Sequence, residues 1–313
     1  MITTPLYWGQ GLGNQLWSWA TLTSIALDKG YSWGIQAPWR FKGKRFLSLD
    51  FGYPVLGIAP QQPNRKTPLF VPNYYQELKL INREEGFDIS DFDPELVELN
   101  DKTKIDGTFQ SEKYIIHHKK RIQNALSLPS PIDSCEETCV IHIRGGDFTG
   151  HKNLLLGPKY YQEAIKLMRE RISGVKFLVI TNDTKFAREY LPDLKIFSNY
   201  KFAEIYSGPD KKVDHRVALD FALIQNAKHS ILANSSFSWW GAWTKRVEGI
   251  VIAPKYWARH NCNDGYWSTG GIITQGWEYL DAKGKLSSYS ESSDEWENFK
   301  TSSEYRKNIL TQR

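Results

Sequence analysis

Short runs of apolar residues alternate with helix-like patterns across residues 134–254 of the chain. Runs of this length, bounded by polar or glycine-rich segments, predict strands that are buried on both faces of a sheet. Between them, the helical repeat of apolar side chains predicts helices, including one from Pro158 and one over 214–228. Strands that alternate with helices indicate a parallel sheet, and therefore a Rossmann-like domain. The five predicted strands are residues 138–143, 175–181, 194–198, 230–233 and 249–253.

The N-terminal part of the chain follows an α/β pattern less regularly. A short strand, a glycine-rich turn and a helix open the chain. Asn14 is a plausible cap of this helix, and Leu16, Ala20 and Leu27 mark its inward face. The pattern therefore predicts a second α/β unit.

The length of the chain and the change of pattern along it predict two α/β domains and a polar end. The domains are expected at residues 1–133 and 134–278, and the polar segment covers 279–313. This segment is either a tail or an amphipathic helix that packs back onto the protein through Trp296, Phe299 and Tyr305.

The composition fits a folded protein that does not bind nucleic acid. The chain has 313 residues, of which 41% are hydrophobic and 24% charged, so disorder is not expected to dominate. Its net charge is +5, and its most basic stretch, residues 113–121, is interpreted as the solvated face of a helix. Twelve tryptophans and 14% aromatic residues mildly favour a carbohydrate ligand, because flat rings stack on the C–H faces of sugars.

The protein is expected to be cytoplasmic. Its N-terminus lacks the basic region and apolar stretch of a signal peptide, and no segment approaches roughly 18 uninterrupted apolar residues. Three cysteines offer no even-numbered disulfide framework, which fits a reduced compartment. Peripheral association at the inner face of a membrane stays open.

The first predicted strand of the C-terminal domain ends in a polar cluster, HIRGGD at residues 142–147. Ligands of doubly wound sheets bind beyond the carboxyl ends of strands. Arg144 offers a planar, permanently charged group that suits a diphosphate, and the two glycines let backbone approach an anion closely. Alternatively, Arg144 and Asp147 form a structural ion pair, and His142 is a core histidine.

Two further strand ends are polar. Asn182 and Asp183 follow one strand, and Asn234, Ser235 and Ser236 precede a predicted helix. Hydroxyls and free N–H groups at a helix start make an anion site, although plain capping would also explain Ser235 and Asp183.

Asp220 lies one helix upstream of Ser236. Its carboxylate could accept two N–H bonds from a guanine edge, a pattern that adenine does not offer. This residue therefore gives a reason to consider guanine nucleotides.

Four segments extend this picture: GLGNQLWSWA at 11–20, GTFQSEKY at 107–114, HIRGGD at 142–147, and DFALIQNAKHSILANSSFSWWGAW at 220–243. Together they resemble the α-1,2-fucosyltransferases of glycosyltransferase family eleven, and they spread over roughly the first 255 residues. The last segment is long and specific, whereas the HxRxxD pattern alone would be weak.

The resemblance implies a GT-B-like fold, in which two Rossmann-like domains face a cleft. It implies an inverting galactoside α-1,2-fucosyltransferase that moves L-fucose from GDP-L-fucose to the 2-hydroxyl of a galactose-terminated oligosaccharide or lipid-linked glycan. Residues 1–133 would lie on the acceptor side, and residues 134–278 would bind the GDP-sugar. The resemblance also implies that no metal ion takes part. No cofactor is expected, because GDP-L-fucose is a co-substrate. Asp91 and Asp93 form the only obvious DxD pattern and are interpreted as a surface acidic turn.

By the same resemblance, Arg144 would bind the diphosphate and stabilise the departing GDP. Asp147 and His151 are the two candidates for the general base, and the choice between them stays open. The donor-binding set implied is His142, Arg144, Asn182, Asp183, Asp220, Asn234, Ser235, Ser236 and Phe237, with Gly11, Gly13, Asn14 and Gln15 from the N-terminal domain.

The chain departs from the family pattern at two positions. Gly145 stands where a second arginine is usual, and Asn182 stands where an acidic residue is common. Another 6-deoxy sugar carried on GDP therefore stays open as donor. An alternative from a different class is a non-catalytic glycan-binding protein, in which the sheet is only a scaffold.

Overall fold

The computed structural model describes residues 1–55, 73–82, 88–133, 136–151, 153–194, 196–199, 211–257, 270–303, 305 and 309–312. The chain divides into two compact units. Unit 1 comprises Met1–Ala125 and Ser303–Arg313, and unit 2 comprises Leu126–Ser302.

Unit 1 contains both strands and helices. Its elements are β1 (Ile2–Pro5), α1 (Leu12–Lys29), β2 (Trp33–Gln36), β3 (Asn73–Gln76), β4 (Lys79–Asn82), β5 (Asp88–Ser90), α2 (Pro94–Val97), β6 (Thr103–Asp106) and α3 (Lys119–Ala125), with 3-10 turns at Pro38–Arg40, Glu112–Tyr114 and Ile116–His118. Four strands form a parallel sheet in the order β2-β1-β6-β3. The carboxyl ends of these strands therefore meet at one edge.

Helix α1 begins three residues earlier than a cap at Asn14 would allow. Gly11 occupies the cap position, and its carbonyl accepts the first helical bond from Gln15 N–H at 3.1 Å. Asn14 lies inside the first turn, so its prediction as the cap is wrong. Leu16 is fully buried, as predicted, but Leu27 is 38% exposed and lies off the inward face.

Unit 2 is built on a seven-stranded sheet. Its elements are β7 (Thr138–Ile143), a 3-10 turn (Gly146–Gly150), α4 (Pro158–Arg171), β8 (Lys176–Thr181), α5 (Thr184–Tyr190), β9 (Ile196–Asn199), α6 (Lys211–Asn226), β10 (His229–Ile231), α7 (Ser236–Trp243), β11 (Val251–Pro254), a 3-10 turn (Gly270–Ile272), β12 (Glu278–Leu280), β13 (Leu286–Ser287) and α8 (Tyr289–Thr301). The strand order is β13-β12-β11-β10-β7-β8-β9, and every pair except β12–β13 is parallel. The predicted α/β class is confirmed, and the five predicted strands are β7 to β11.

The core of unit 2 lies between the sheet and helices such as α4. Pro158 is an early residue of α4, as predicted, and Ala164 and Met168 are fully buried against the strands. The Tyr160 hydroxyl donates to the Leu232 carbonyl at 2.7 Å. This buried bond ties α4 to the segment that follows β10.

The division between the units falls at Ala125 and Leu126, a few residues before the expected boundary at 133. Gln225 of α6 explains the difference. Its Nε2 donates to the Leu126 carbonyl at 3.1 Å, and its Oε1 accepts from the Leu128 N–H at 2.8 Å. These bonds join the start of this segment to unit 2.

Residues 279–313 contribute to both units. Ser288 and Glu291 form a capping box at the start of α8, and Trp296 and Phe299 of this helix are buried. Beyond it, β14 (Ile309–Gln312) pairs antiparallel with β4 of unit 1. None of the helices in the described part of the chain combines the length and hydropathy that a membrane crossing requires.

Candidate functional site

Three neighbouring strands of unit 2 end in polar residues at one edge of the sheet. β7 lies between β8 and β10, and the three strands are parallel. Arg144 follows β7, Asn182 follows β8, and Asn234 lies shortly after β10. The polar strand ends that the sequence indicated therefore share the edge at which doubly wound sheets bind ligands.

Arg144 places a positively charged side chain at this edge of the sheet. Its side chain is 8% exposed, and its Nη2 donates to Asp147 Oδ2 at 2.9 Å. Its guanidinium carbon lies 4.9 Å from the centroid of the Phe148 ring. The ion pair that the sequence offered as an alternative is thus present, with an Asp147 side chain that is 57% exposed. His151, the other candidate base, is exposed at the end of the 3-10 turn after β7.

The side-chain amide of Asn182 fixes the turn after β7. Its Oδ1 accepts from the Gly145 N–H at 2.9 Å, and its Nδ2 donates to the Gly145 carbonyl at 3.2 Å. A carboxylate could not make the second bond, because it has no N–H to donate. A Cβ at Gly145 would lie 2.9 Å from the Asp183 Cβ and 2.9 Å from Phe186 Cδ1. Gly145 and Asn182, the two residues that depart from the family pattern, are therefore in contact at the same turn.

Asp183 is the N-cap of α5. Its Oδ1 accepts from the Phe186 N–H at 3.1 Å, and its own N–H donates to Thr181 Oγ1 at 3.0 Å. A carboxylate at this position satisfies a free N–H and complements the helix dipole. The capping interpretation of Asp183 is thus observed, and its contact with a donor stays a prediction.

His142 and Asp220 are buried without hydrogen-bond partners among the residues that the structure describes. Burial lowers the pKa of His142 to about 3, and the charge of Arg144 adds to this effect. Burial raises the pKa of Asp220 well above its usual value, although Arg216 acts in the opposite direction. Buried polar groups normally have partners, so both side chains are candidates for contact with a ligand.

The start of α7 lies beside His142. The Phe237 ring centroid is 6.0 Å from that of His142 and 5.6 Å from that of Phe221, which follows Asp220 in the chain. Ser235 is the N-cap residue of α7, but its hydroxyl makes no capping bond. The hydroxyl and the helix start therefore remain suited to an anion.

Asn234 joins the same edge to two loops. Its Nδ2 donates to the carbonyl of Leu154 at 2.7 Å and to that of Trp257. Its Oδ1 is buried and has no partner within the described ranges. Ser236 is the first residue of α7 and completes the predicted cluster in unit 2.

The predicted residues of unit 1 lie at the start of α1. Gln15 is fully buried, where its Nε2 donates to the Arg40 carbonyl at 3.0 Å and its Oε1 accepts from the Lys42 N–H at 2.9 Å. Asn14 Oδ1 accepts from Gln110 Nε2 at 2.9 Å. Gln15 thus has a structural role within unit 1. Donor contact stays a prediction for Gly11, Gly13, Asn14 and Gln15.

A surface group of unit 1 has the chemistry of metal ligands. His117 Nε2 lies 2.6 Å from Asp28 Oδ2, and His118 Nε2 lies 2.8 Å from Asp28 Oδ1. The ligand atoms of the three residues lie within 4.8 Å of one another. Both histidines stand on a 3-10 turn of the segment interpreted as a solvated helix face, and His117 is exposed there, as that interpretation expects. The pairing was missed because Asp28 is distant in sequence.

The DxD pattern is structural rather than a surface turn. Asp93 is buried, where its Oδ2 accepts from the Tyr75 hydroxyl at 2.6 Å and its Oδ1 accepts from the Glu95 N–H at 3.0 Å. The interpretation as a surface acidic turn is therefore wrong for Asp93. Its carboxylate caps α2 and stabilises unit 1.

Curated relatives of this chain are glycosyltransferases of Escherichia coli. The chain is 32% identical over 167 residues to an alpha-1,2-colitosyltransferase, a match that covers 48% of this chain and 54% of the relative. It is 29% identical over 135 residues to the O-antigen biosynthesis glycosyltransferase WbnK, covering 41% of this chain and 42% of that one. The chain thus spans about half the length of the curated relatives that it matches.

Solved structures with a similar arrangement include fucosyltransferase NodZ from Bradyrhizobium, at 14% identity and a TM-score of 0.39, covering 77% of this chain and 91% of NodZ. A structure of NodZ alpha-1,6-fucosyltransferase co-crystallized with GDP gives 12% identity and a TM-score of 0.41, covering 91% and 97% of the two chains. The model of one protein family, Glycosyl transferase family 11, matches residues 53–281, which include every predicted site residue of unit 2. Because this match covers well over half of the sequence, the chain belongs to glycosyl transferase family 11.

Proposed function

We propose that this protein transfers L-fucose from GDP-L-fucose to the 2-hydroxyl of a galactose-terminated glycan, with inversion at the anomeric carbon. Family membership supports glycosyl transfer. The observation that carries the donor assignment is that His142 and Asp220 are buried without hydrogen-bond partners among the described residues, and that His142 belongs to β7, the strand that Arg144 follows. A bound nucleotide would supply the partners that the described residues do not.

In this proposal, Asp220 recognises the guanine base. Burial favours the protonated form of Asp220 in the free protein, and a guanine edge would offer two N–H groups that stabilise its carboxylate when the nucleotide binds. His142 is neutral in the fold, so one ring nitrogen can accept and the other can donate. The Phe237 ring packs beside His142.

Arg144 acts on the diphosphate. Its guanidinium can pair with phosphate oxygens as charge builds on the departing GDP. Asp147 orients the guanidinium through the 2.9 Å bond to Nη2. Ser235 and the N–H groups at the start of α7 contribute further donors to the phosphates.

The reaction itself is a single displacement. The acceptor 2-hydroxyl oxygen forms a bond to the anomeric carbon while the bond from that carbon to the GDP oxygen breaks. The hydroxyl proton goes to a general base, for which Asp147 and His151 are the candidates, and the electron pair leaves with GDP. No metal takes part in this proposal, because Arg144 supplies the positive charge.

The donor sugar has one specific rival. The E. coli relative at 32% identity is named an alpha-1,2-colitosyltransferase, which supports the α-1,2 linkage but points to a sugar other than fucose. We therefore keep another GDP-linked 6-deoxy sugar as the second candidate. The acceptor is a free or a lipid-linked glycan, and the lipid-linked form would bring the protein to a membrane surface.

The test combines the protein with GDP-fucose and galactose-terminated oligosaccharides, and identifies products by mass spectrometry. A fucosylated product is expected, and its amount should not change in excess chelator. Arg144→Ala should lower kcat/KM by about 100- to 1000-fold. Arg169→Ala is the matched control, because Arg169 also lies over a phenylalanine ring of unit 2 but belongs to α4. Equal activity of both variants, or dependence on added magnesium, would contradict the proposed mechanism.

A further inference from the structure

Exposed aromatic rings gather at the carboxyl edge of the parallel sheet in unit 1. Tyr7 and Trp8 follow β1, Arg40 ends the turn after β2, and Asp106 is the last residue of β6. β1 and β6 are neighbours in this sheet, and Tyr74 comes from β3 on the far side of β6. All four strands thus contribute to one patch, which we call the aromatic cluster: Tyr7, Trp8, Arg40, Tyr74 and Asp106.

The rings of this cluster are unusually open to solvent. Trp8 is 64% exposed and Tyr74 is 58% exposed, although side chains of this size are normally buried. A group of large exposed rings marks a binding surface more often than a single exposed ring does.

Asp106 connects the two tyrosines. Its Oδ2 accepts from the Tyr7 hydroxyl at 2.6 Å and lies 3.2 Å from the Tyr74 hydroxyl, whose shorter bond, at 2.6 Å, goes to Gln76 Oε1. Lys104 Nζ lies 3.6 Å from the same oxygen. Burial and the hydrogen bond to Asp106 raise the pKa of Tyr7, so this hydroxyl remains a donor. Oδ1 of Asp106 accepts no bond from the described part of the chain, so it is available to a ligand hydroxyl.

Arg40 holds the ring of Trp8. Its guanidinium carbon lies 5.3 Å from the Trp8 ring centroid, and its Nη1 donates to the Leu6 carbonyl at 3.1 Å. A cation at this distance restricts the ring by attraction to its π face. The indole is therefore held in place while most of its surface remains exposed.

The chemistry of this cluster matches a sugar ring. A pyranose presents an apolar C–H face, which can stack on an indole or a phenol, and hydroxyl groups at its rim, which can bond to a carboxylate and a guanidinium. We propose that the aromatic cluster binds an uncharged sugar of the glycan acceptor. This inference rests on the proposed function, and it adds the residues through which the acceptor is held.

The test measures transfer by the full chain at saturating GDP-fucose, with lactose as the galactose-terminated acceptor. Trp8→Ala and Tyr74→Ala should each raise the acceptor KM about tenfold or more, because each removes a stacking surface. The dissociation constant of GDP, measured by calorimetry, should stay within twofold of the wild-type value. Tyr53→Ala is the matched control, because Tyr53 is also 64% exposed and belongs to unit 1, but lies outside the cluster. It should leave both values unchanged.

Two results separate this inference from the proposed function. If the wild type transfers fucose and the Trp8 and Tyr74 variants keep the wild-type acceptor KM, the cluster does not bind the acceptor, although the function stands. If the wild type neither binds GDP nor transfers fucose, the proposed function fails, and lactose binding is then measured directly by calorimetry. Binding that is lost in Trp8→Ala but kept in Tyr53→Ala would still support the cluster, and absent or equal binding would overturn it.

Discussion

His142 should make the stability of the protein depend on pH. Burial lowers its pKa to about 3, whereas the same group in the unfolded chain has a pKa near 6.5. Between these values the unfolded state binds one more proton than the folded state. The free energy of unfolding should therefore decrease as pH falls from 6.5, by about 1.4 kcal/mol per pH unit.

Asp220 should act in the opposite direction. Burial raises its pKa well above 3.8, so above that pH the folded state keeps a proton that the unfolded state has lost. The free energy of unfolding should then decrease as pH rises through the raised pKa. Between about pH 4 and 6.5, the contributions of His142 and Asp220 oppose each other.

Urea unfolding of His142→Gln, Asp220→Asn and the wild type from pH 4 to 8 checks this prediction. Relative to the wild type, His142→Gln should gain stability as pH falls below 6.5, and Asp220→Asn should gain stability as pH rises. The prediction fails if the difference in free energy of unfolding between each variant and the wild type does not change with pH. It also fails if the two differences change in the same direction as pH rises.

Residues whose partners lie far along the chain are those that sequence reasoning placed least well. The local sequence around Asp93 suggests a surface turn, because it does not show that the Tyr75 hydroxyl and the start of α2 both bond to the Asp93 carboxylate. Arg144 was predicted more fully, because its partner Asp147 lies three positions away on the same turn. The aromatic cluster was missed altogether, since Tyr7, Arg40 and Asp106 come from three separate strand ends.

Replacement of Gln225 in α6 should weaken the attachment of the first residues of unit 2 to this helix. Gln225→Met keeps a similar volume but leaves the Leu126 carbonyl and the Leu128 N–H without their partner. Each buried group left unsatisfied costs about 1–3 kcal/mol. Amide hydrogen exchange should become faster over residues 126–133.

The control for this variant is Asn226→Ala on the same helix. Among the described residues, the Asn226 amide donates only to the Ala222 carbonyl within α6, so exchange over 126–133 should remain as in the wild type. Unchanged exchange in Gln225→Met as well would mean that other contacts hold the segment.

Elements buried on both faces were predictable, and elements with polar sequences were not. β7 to β11 are short apolar runs, and such runs specify central strands of a parallel sheet. β12 and β13 were missed because Glu278, Asp281 and Lys283 make their region look like a tail. The polar sequence of α8 leaves a tail and a helix as alternatives, and the capping box at Ser288 is the local signal that favours the helix.

The final strand should stabilise unit 1 and leave unit 2 unaffected. β14 pairs along its whole length with β4, whose one other strand partner in the described part of the chain is β5. A two-stranded ribbon is marginal in water. Removal of residues 303–313 should therefore increase hydrogen exchange in β4 and β5, while exchange in β7, β8 and β10 and the affinity for GDP stay unchanged.

If β4 kept its protection against hydrogen exchange in the truncated chain, the stabilising role of β14 would be contradicted. Loss of protection in β7, β8 and β10 would also contradict the prediction, because these strands do not pair with β14.

The return of the chain to unit 1 also sets an order for biosynthesis. Unit 2 is one continuous stretch, Leu126–Ser302, whereas unit 1 needs Ile309–Gln312 to complete the sheet of β4. On the ribosome, every residue of unit 2 is synthesised before β14. A nascent chain paused between the two would carry the full sequence of unit 2 and an open strand edge on unit 1, which is the stage at which we expect it to need a chaperone.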